Sequence, residues 1–248
     1  MDDSLEGKAA LVTGGARRVG AAIARRLHAA GAGVLIHYRD SEADAARLES
    51  ELNAVRPRSA AKVKAELLAP VAPRALVSAA LDSFGRLDVL VNNASSFFPV
   101  EVGAMESSHW EELIGSNLRA PLFIAQQALA ELAKNEGVIV NIVDIHADRP
   151  LKGYALYSIA KAGLAAMTRS LAIELAPRVR VNGVAPGAIA WPDDGQVPDA
   201  ERARIVATTP LARTGSPEDV ARAVHFLACA PYVTGQILAV DGGRSIFI

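Results

Sequence analysis

The chain has 248 residues, of which 51% are hydrophobic and 21% are charged, and 26 Lys and Arg residues against 27 Asp and Glu residues leave a net charge of −1. This length and hydrophobic content exclude general disorder, and the balanced charge argues against a nucleic-acid-binding protein, which normally has a basic face. A single cysteine, Cys229, excludes an internal disulfide and a cysteine-rich zinc site.

Short apolar segments alternate with longer Ala- and Leu-rich stretches that have helical spacing. The apolar segments are rich in Val, Ile and Leu, as is typical of strands covered on both faces of a parallel sheet. They span residues 8–12, 33–37, 61–66, 87–91, 137–143, 179–184 and 237–240. The helical stretches span residues 18–31, 41–55, 71–84, 107–133, 155–176 and 217–229. This alternation predicts an open α/β sheet in one domain over 1–248.

The segment 188–210 interrupts this regular pattern. Its first part contains Pro192, Gly195 and Pro198 among acidic residues. We expect a mobile loop that opens into a short helix and lies beside the substrate.

A glycine-rich turn, TGGARRVG over residues 13–20, follows the first predicted strand. The pyrophosphate of a dinucleotide lies at such a turn, because glycine allows close backbone approach and the next helix N-terminus favours an anion. An ordinary strand-to-helix loop is the alternative that the motif alone leaves open. The candidate cofactor-binding residues of the turn are Gly14, Arg17, Arg18, Val19 and Gly20.

The residues after the second predicted strand bear on the choice of dinucleotide. An acidic residue there binds the ribose hydroxyls of NAD, whereas this strand is followed by Tyr38 and Arg39. The 2′-phosphate of NADP needs cations and hydroxyls, which Arg39, Ser41 and Arg17 supply. We therefore favour NADP(H), although Asp40 would repel the phosphate if its carboxylate pointed inward.

Tyr157 and Lys161 are four residues apart in a predicted helix, so they share a face. A tyrosine can act as a proton donor if its pKa, ordinarily about 10, is lowered toward working pH. A nearby ammonium lowers this pKa because it favours the phenolate. The pair indicates an active site only in combination with its surroundings.

These surroundings resemble the short-chain dehydrogenase/reductases. The turn is similar to that family's TGxxxGxG motif, with Arg18 in place of the usual middle glycine. The other matching segments occur in the family's order and are Asn92–Ser95, Asn117, Tyr157–Lys161, Arg180–Asn182, Pro186–Gly187 and Asp241–Gly243. The resemblance runs from Gly7 to Gly243. It implies a Rossmann fold, with a doubly wound, seven-stranded parallel sheet and helices on both faces.

The resemblance also implies roles for individual residues. Asn117, Tyr157 and Lys161 are expected to be catalytic, with Asn117 holding a water that relays protons to Lys161. The family often has Asp after the third strand to bind adenine; Glu66 occupies that place here, and the contact is either kept by the longer side chain or lost. The further expected cofactor-binding residues are Tyr38, Asn93, Ala94, Ser95, Tyr157, Lys161, Pro186 and Gly187.

One departure narrows the expected substrate. The family's catalytic serine stands thirteen residues before the tyrosine, where this chain has Asp144. An ionised aspartate only accepts hydrogen bonds, so it would repel a developing alkoxide and suit a substrate with N–H donors, or pass a proton through Tyr157. The alternative is that Asp144 points away and another group replaces the serine.

Arg18, the segment Asn93–Phe97 and Asp144 together resemble the pteridine reductases within the family. This resemblance implies NADPH-dependent reduction of a dihydropterin or dihydrofolate, with Asp144 catalytic and Tyr157 as the proton donor. Phe97 would stack on the flat pterin ring. The expected substrate-binding residues are Arg18, Ser95, Phe97, Asp144, Tyr157 and Trp191.

Two other functions stay open from the sequence. An NADPH-dependent carbonyl reductase acting on a ketone or 3-oxoacyl group would use Ser95 or Ser96 in the serine's role. A regulatory NADP-binding protein is disfavoured, because it would not need the tuned proton donor Tyr157. We predict no metal, since no two histidines have the spacing of a metal-binding pair.

The chain termini suggest assembly and location. The segment Arg244–Ile248 is strongly apolar and predicts packing against another subunit, and the family resemblance implies a homotetramer, with a dimer left open. The segment Met1–Ser4 is acidic, unlike a secretory signal, and no apolar run approaches the roughly 18 residues of a transmembrane helix. We therefore expect a cytoplasmic protein that does not bind membranes.

Overall fold

In the computed structural model, which describes residues 3–189 and 198–247, one sheet contains seven parallel strands in the order β3-β2-β1-β4-β5-β6-β7. The strands are β1 Ala9–Val12, β2 Gly33–Tyr38, β3 Ala60–Lys64, β4 Val89–Asn92, β5 Val138–Ile142, β6 Arg180–Pro186 and β7 Ile237–Val240. No strand boundary differs from its predicted position by more than two residues. The predicted doubly wound α/β fold is confirmed.

Helices cover both faces of the sheet. They are α1 Arg18–Ala29, α2 Glu42–Val55, α3 Ala72–Phe84, α4 Ser107–Ile114, α5 Ala120–Lys134, α6 Ala155–Glu174, α7 Asp199–Ala207, α8 Pro217–Cys229 and α9 Arg244–Phe247. On one face, Leu27 of α1, Leu48 of α2 and Val224 of α8 belong to one buried cluster. On the other, Leu76 of α3 and Ile124 of α5 belong to a second. This burial on both sides explains why the strand sequences lack polar alternation.

The stretch 107–133, predicted to be one helix, is interrupted between α4 and α5. Residues Gly115–Arg119 form a π-helical segment, a rare form that often occurs at functional sites. In this wide turn Asn117 is buried, and its Nδ2 donates to the Leu113 carbonyl at 3.0 Å. The predicted helical stretch is thus found over 107–134, and only the change of winding at Gly115–Arg119 was not predicted.

The segment 188–210 is described in part. Helix α7 occupies Asp199–Ala207, in agreement with the short helix expected there. Trp191, predicted to cover the substrate, lies outside the described residues. Within the described ranges, no helix is long and apolar enough to span a membrane.

Candidate active site

A cleft of about 400 Å³ opens where β1, β2, β3 and β4 end. The strand order reverses between β1 and β4, and parallel α/β sheets bind ligands at such a switch point. The cleft is lined by many of the residues predicted to hold the cofactor, namely Gly14, Arg17, Arg18, Val19, Gly20, Tyr38, Arg39, Ser41, Glu66, Asn93, Ala94 and Ser95. Pro186 and Gly187 lie at the end of β6, outside this lining.

The turn after β1 depends on glycine at two of its positions. Gly14 has a φ of +60°, and a Cβ at Gly20 would overlap the Gly14 carbonyl oxygen. Asn93 Nδ2 fixes the turn from the β4 side by donating to the carbonyls of Thr13 at 2.8 Å and of Gly14 at 3.1 Å. Helix α1 begins beside the turn with the partial positive charge of its N-terminus. This backbone fits a dinucleotide pyrophosphate.

Arg18 stands where the family's motif has glycine, and it keeps a glycine-like backbone, with a φ of +50°. The left-handed conformation costs a non-glycine residue about 1–2 kcal/mol. Arg18 is among the residues that line the cleft.

Arg39, the predicted partner of a 2′-phosphate, is engaged by two carboxylates. Its Nε donates to Asp40 Oδ2 at 2.9 Å, and its Nη1 lies 3.4 Å from Glu112 Oε1 of α4. Glu112 also accepts a short hydrogen bond from the Ser96 hydroxyl. The guanidinium of Arg39 is therefore in place to bind a phosphate, but it is already paired with the carboxylates of Asp40 and Glu112.

The predicted catalytic residues meet at the start of α6. The Tyr157 hydroxyl donates to Asp144 Oδ2 at 2.7 Å, so Asp144 does not point away. The Ser95 hydroxyl donates to Asn117 Oδ1 at 2.7 Å. Lys161 Nζ donates to the Ile142 carbonyl at 2.9 Å and lies 5.6 Å from the centre of the Tyr157 ring.

The electrostatics of this cluster differ from the sequence prediction. Burial raises the pKa of Tyr157 well above its usual value, and the charge of Asp144 and its hydrogen bond raise it further. Burial lowers the pKa of Lys161 to about 8, although Asp144 opposes this. The net pKa of Tyr157 is therefore raised and not lowered, because burial and the Asp144 carboxylate act against the effect expected of the Lys161 ammonium.

The ring of Phe97 lies against two tyrosines of this site, and 47% of the Phe97 surface is exposed. Its ring stacks on Tyr154 with centroids 4.5 Å apart and meets Tyr157 edge-on at 4.7 Å. Tyr154 was not among the predicted site residues, because it lies one residue before α6 and outside the predicted helix.

Further residues of the cleft were missed, among them His37 and Glu112. His37 lines it from the end of β2, where a histidine in an otherwise apolar strand was the only signal. Glu112 lines it from α4, and its approach to Arg39 joins positions 73 residues apart. Local spacing carries no information on such a distant pair.

Comparison with known proteins agrees with this arrangement. A family model described as enoyl-(acyl carrier protein) reductase matches residues 14–245.

The chain is 40% identical to pteridine reductase 1 of Leishmania tarentolae, with 99% of each chain covered. It is 38% identical to a 3-oxoacyl-[acyl-carrier-protein] reductase of Synechocystis sp., with 98% of this chain and 99% of the relative covered. It is also 36% identical to 3beta-hydroxysteroid dehydrogenase 1 of Eggerthella lenta, with 100% and 97% covered. The glycine-rich turn, the Tyr157–Lys161 pair and these full-length similarities together show that the chain belongs to the short-chain dehydrogenase/reductase family of oxidoreductases.

Proposed function

We propose that this protein is an NADPH-dependent reductase of a dihydropterin or dihydrofolate. The observation that carries the proposal is the Tyr157–Asp144 hydrogen bond of 2.7 Å, beside the half-exposed ring of Phe97. A fixed carboxylate suits the N–H groups of a nitrogen heterocycle, and an aromatic edge suits a flat ring. The 40% identity to a pteridine reductase supports the same substrate class.

The cofactor proposal rests on the residues that line the cleft. The glycine turn and the N-terminus of α1 would hold the pyrophosphate, and Arg39, Ser41 and Arg17 would hold the 2′-phosphate. Glu66 lines the end of the cleft at β3, where adenine would lie. When bound, NADPH supplies the hydride. We take the whole of 1–248 as one NADP-binding domain, with Pro186, Gly187 and Trp191 kept as predicted contacts.

Side chains of the protein would hold the proton of the reaction and transfer it to the substrate. Tyr157 donates it to the ring nitrogen beside the reduced carbon, and its raised pKa keeps that proton in place beforehand. Asp144 orients the phenol and accepts from the substrate's N–H groups, and after turnover it takes up a proton from solvent and passes it to the Tyr157 phenolate. The charge on Lys161 stabilises the phenolate that forms. Asn117 fixes Ser95 through the bond to its Oδ1, and we keep the predicted water relay to Lys161 as part of the proposal.

A carbonyl reductase of ketones or 3-oxoacyl groups is the second candidate. The Ser95 hydroxyl now donates to Asn117 Oδ1 at 2.7 Å, and by rotating it could donate to a substrate carbonyl in place of the absent serine. The similarity to a 3-oxoacyl reductase supports this candidate.

Parallel assays separate the two candidates. NADPH oxidation is followed with dihydrobiopterin, with dihydrofolate and with a panel of ketones and 3-oxoacyl thioesters, and NADH replaces NADPH in a matched set. We expect turnover of the pterin or folate with NADPH. Turnover confined to the carbonyl compounds would establish the second candidate, and equal rates with NADH would refute the cofactor assignment.

The assembly is proposed to be a homotetramer. In α9, Ile246 is 85% exposed and Phe247 is 65% exposed, which leaves apolar surface for another subunit to cover. Sedimentation velocity at micromolar concentration tests this, and a monomer would contradict it. The proposed location is the cytoplasm.

A further inference from the structure

The side chain of His37 connects two of the segments that border the cleft. His37 belongs to β2 and is only 2% exposed. Its Nδ1 lies 3.0 Å from the Gly14 amide nitrogen, and its Nε2 lies 3.1 Å from the Ala65 carbonyl oxygen. The ring thus bridges the glycine-rich turn after β1 and the segment after β3.

These two partners determine the state of the ring. The Gly14 N–H is a donor, so Nδ1 has to accept, and the Ala65 carbonyl is an acceptor, so Nε2 has to carry the hydrogen. Only the neutral tautomer protonated at Nε2 satisfies both bonds. A doubly protonated ring has no acceptor and cannot keep the bond to Gly14.

The backbone of His37 makes a further hydrogen bond to the same turn. Its carbonyl accepts from the Gly15 amide at 2.8 Å. Two successive amides of the turn are therefore fixed by His37. The Asn93 side chain holds the Thr13 and Gly14 carbonyls.

We propose that His37 is a positioning residue for the dinucleotide, whose neutral ring keeps the glycine turn in its binding shape and whose protonation releases it. This inference rests on the proposed function, since it takes the cleft to be the dinucleotide site. A turn that is competent for only a fraction of the time binds correspondingly more weakly.

The surroundings keep the ring neutral near pH 7. Burial lowers the pKa of His37 below its usual 6.5, while the Ala65 carbonyl and the Glu66 carboxylate oppose this. Among the charged side chains that line the same cleft, Glu66 is the one that acts on this pKa; the others are Arg17, Arg18, Arg39, Asp40 and Glu112. Because the pKa is lowered in the folded protein, protonation occurs only as the pH falls below 6.5.

Two substitutions separate the two bonds of the ring. His37→Asn puts an amide oxygen at the same number of bonds from the backbone as Nδ1, so it can still accept from Gly14. His37→Gln puts an amide nitrogen at the same number of bonds as Nε2, so it can still donate to Ala65. Each variant loses one hydrogen bond and the ability to titrate, and each is the matched control for the other.

The measurement is NADP⁺ binding by calorimetry at pH 7.5 and at lower pH, with thermal unfolding of each protein alone. At pH 7.5 we expect His37→Asn to bind within about threefold of the wild type, and His37→Gln to bind about tenfold more weakly, as expected for a lost hydrogen bond. Over the pH range in which ¹⁵N NMR shows the His37 ring to become protonated, the wild type should lose more affinity than His37→Asn. The phosphate of NADP⁺ also titrates as the pH falls, but it changes the affinity of both proteins equally and therefore cancels when the wild type is compared with His37→Asn.

Equal affinities of the two variants at pH 7.5, or equal losses in the wild type and His37→Asn, would overturn the inference. If both variants unfold, ¹⁵N NMR of the wild type decides: we expect a ring protonated at Nε2 and a Gly14 amide signal that moves as the ring titrates. A Gly14 signal indifferent to that titration would refute the inference. A wild type that binds neither NADP⁺ nor NAD⁺ would instead refute the proposed function.

Discussion

The carboxylate of Asp144 is held between the Tyr157 phenol and the backbone. Its Oδ2 accepts from the Tyr157 hydroxyl at 2.7 Å, and its Oδ1 accepts from the His146 amide at 2.8 Å, where it caps the turn Ile145–Ala147. Both oxygens are therefore oriented by the protein itself. An acceptor that is already in place needs little reorganisation when charge develops during a reaction.

The phenol of Tyr157 is the proposed proton donor, and Tyr157→Phe removes only its hydroxyl. We expect turnover of dihydropterin to fall by about 10²-fold or more, because protonation then depends on water. The binding of NADPH should remain largely unchanged. Steady-state NADPH oxidation measures the first effect and calorimetry the second.

The control for this change is Tyr232→Phe, since Tyr232 is fully exposed. It should leave both quantities unaltered. Wild-type turnover by Tyr157→Phe would remove the phenol from the proposed mechanism.

The charge of Asp144 is proposed to select nitrogen heterocycles over ketones. Asp144→Ser should raise the kcat/KM for ketones and lower that for dihydropterin, because a hydroxyl donates to a carbonyl where a carboxylate repels the developing alkoxide. Asp144→Asn, which removes the charge at nearly constant size, should lose dihydropterin activity as well. Unchanged substrate preference in both variants would show that this carboxylate does not set specificity.

The ionisation of Lys161 is expected to limit activity at high pH. Burial lowers the pKa of Lys161 to about 8, so the charge is lost as the pH rises through that value. Since kcat/KM reports ionisations of the free enzyme, it should fall above pH 8. In Lys161→Arg the guanidinium stays charged, so any residual activity should lack this fall. A wild-type profile that stays level into the alkaline range would contradict the assignment.

The carboxylate of Glu112 competes with a 2′-phosphate for Arg39. Glu112→Gln should therefore tighten NADPH binding by about twofold to fivefold at low salt, which is the size expected for a partly exposed ion pair. The binding of NADH should change little.

The neighbouring Glu111→Gln, on the exposed side of α4, makes the same change in charge away from the cleft. If it tightens NADPH binding equally, the effect comes from the overall charge and not from Arg39.

The fold was predictable because its signals are local. Each strand is a short apolar run, and the chain order of strand and helix leaves few topologies open. Motif spacing in the same way brought Asp144, Tyr157 and Lys161 to one site. Trp191 and the predicted catalytic roles remain predictions.

What the sequence did not indicate depends on distant contacts and on burial. The pairing of Arg39 with Glu112 crosses the cleft, and the bridge of His37 between Gly14 and Ala65 joins three separate segments. The direction of the pKa of Tyr157 depends on how deeply the phenol is buried, which spacing on a helix does not reveal.

The wide turn at Gly115–Arg119 also separates the packing of α5 from the chemistry of the site. A π-helical turn holds one residue more than a regular turn and leaves the helix on either side in register. Ile124 is therefore fully buried and Phe123 half-exposed, as they would be after a regular helix without the extra residue. Deleting one residue in this turn is expected to spare the layer that α5 forms on the sheet and to displace Asn117.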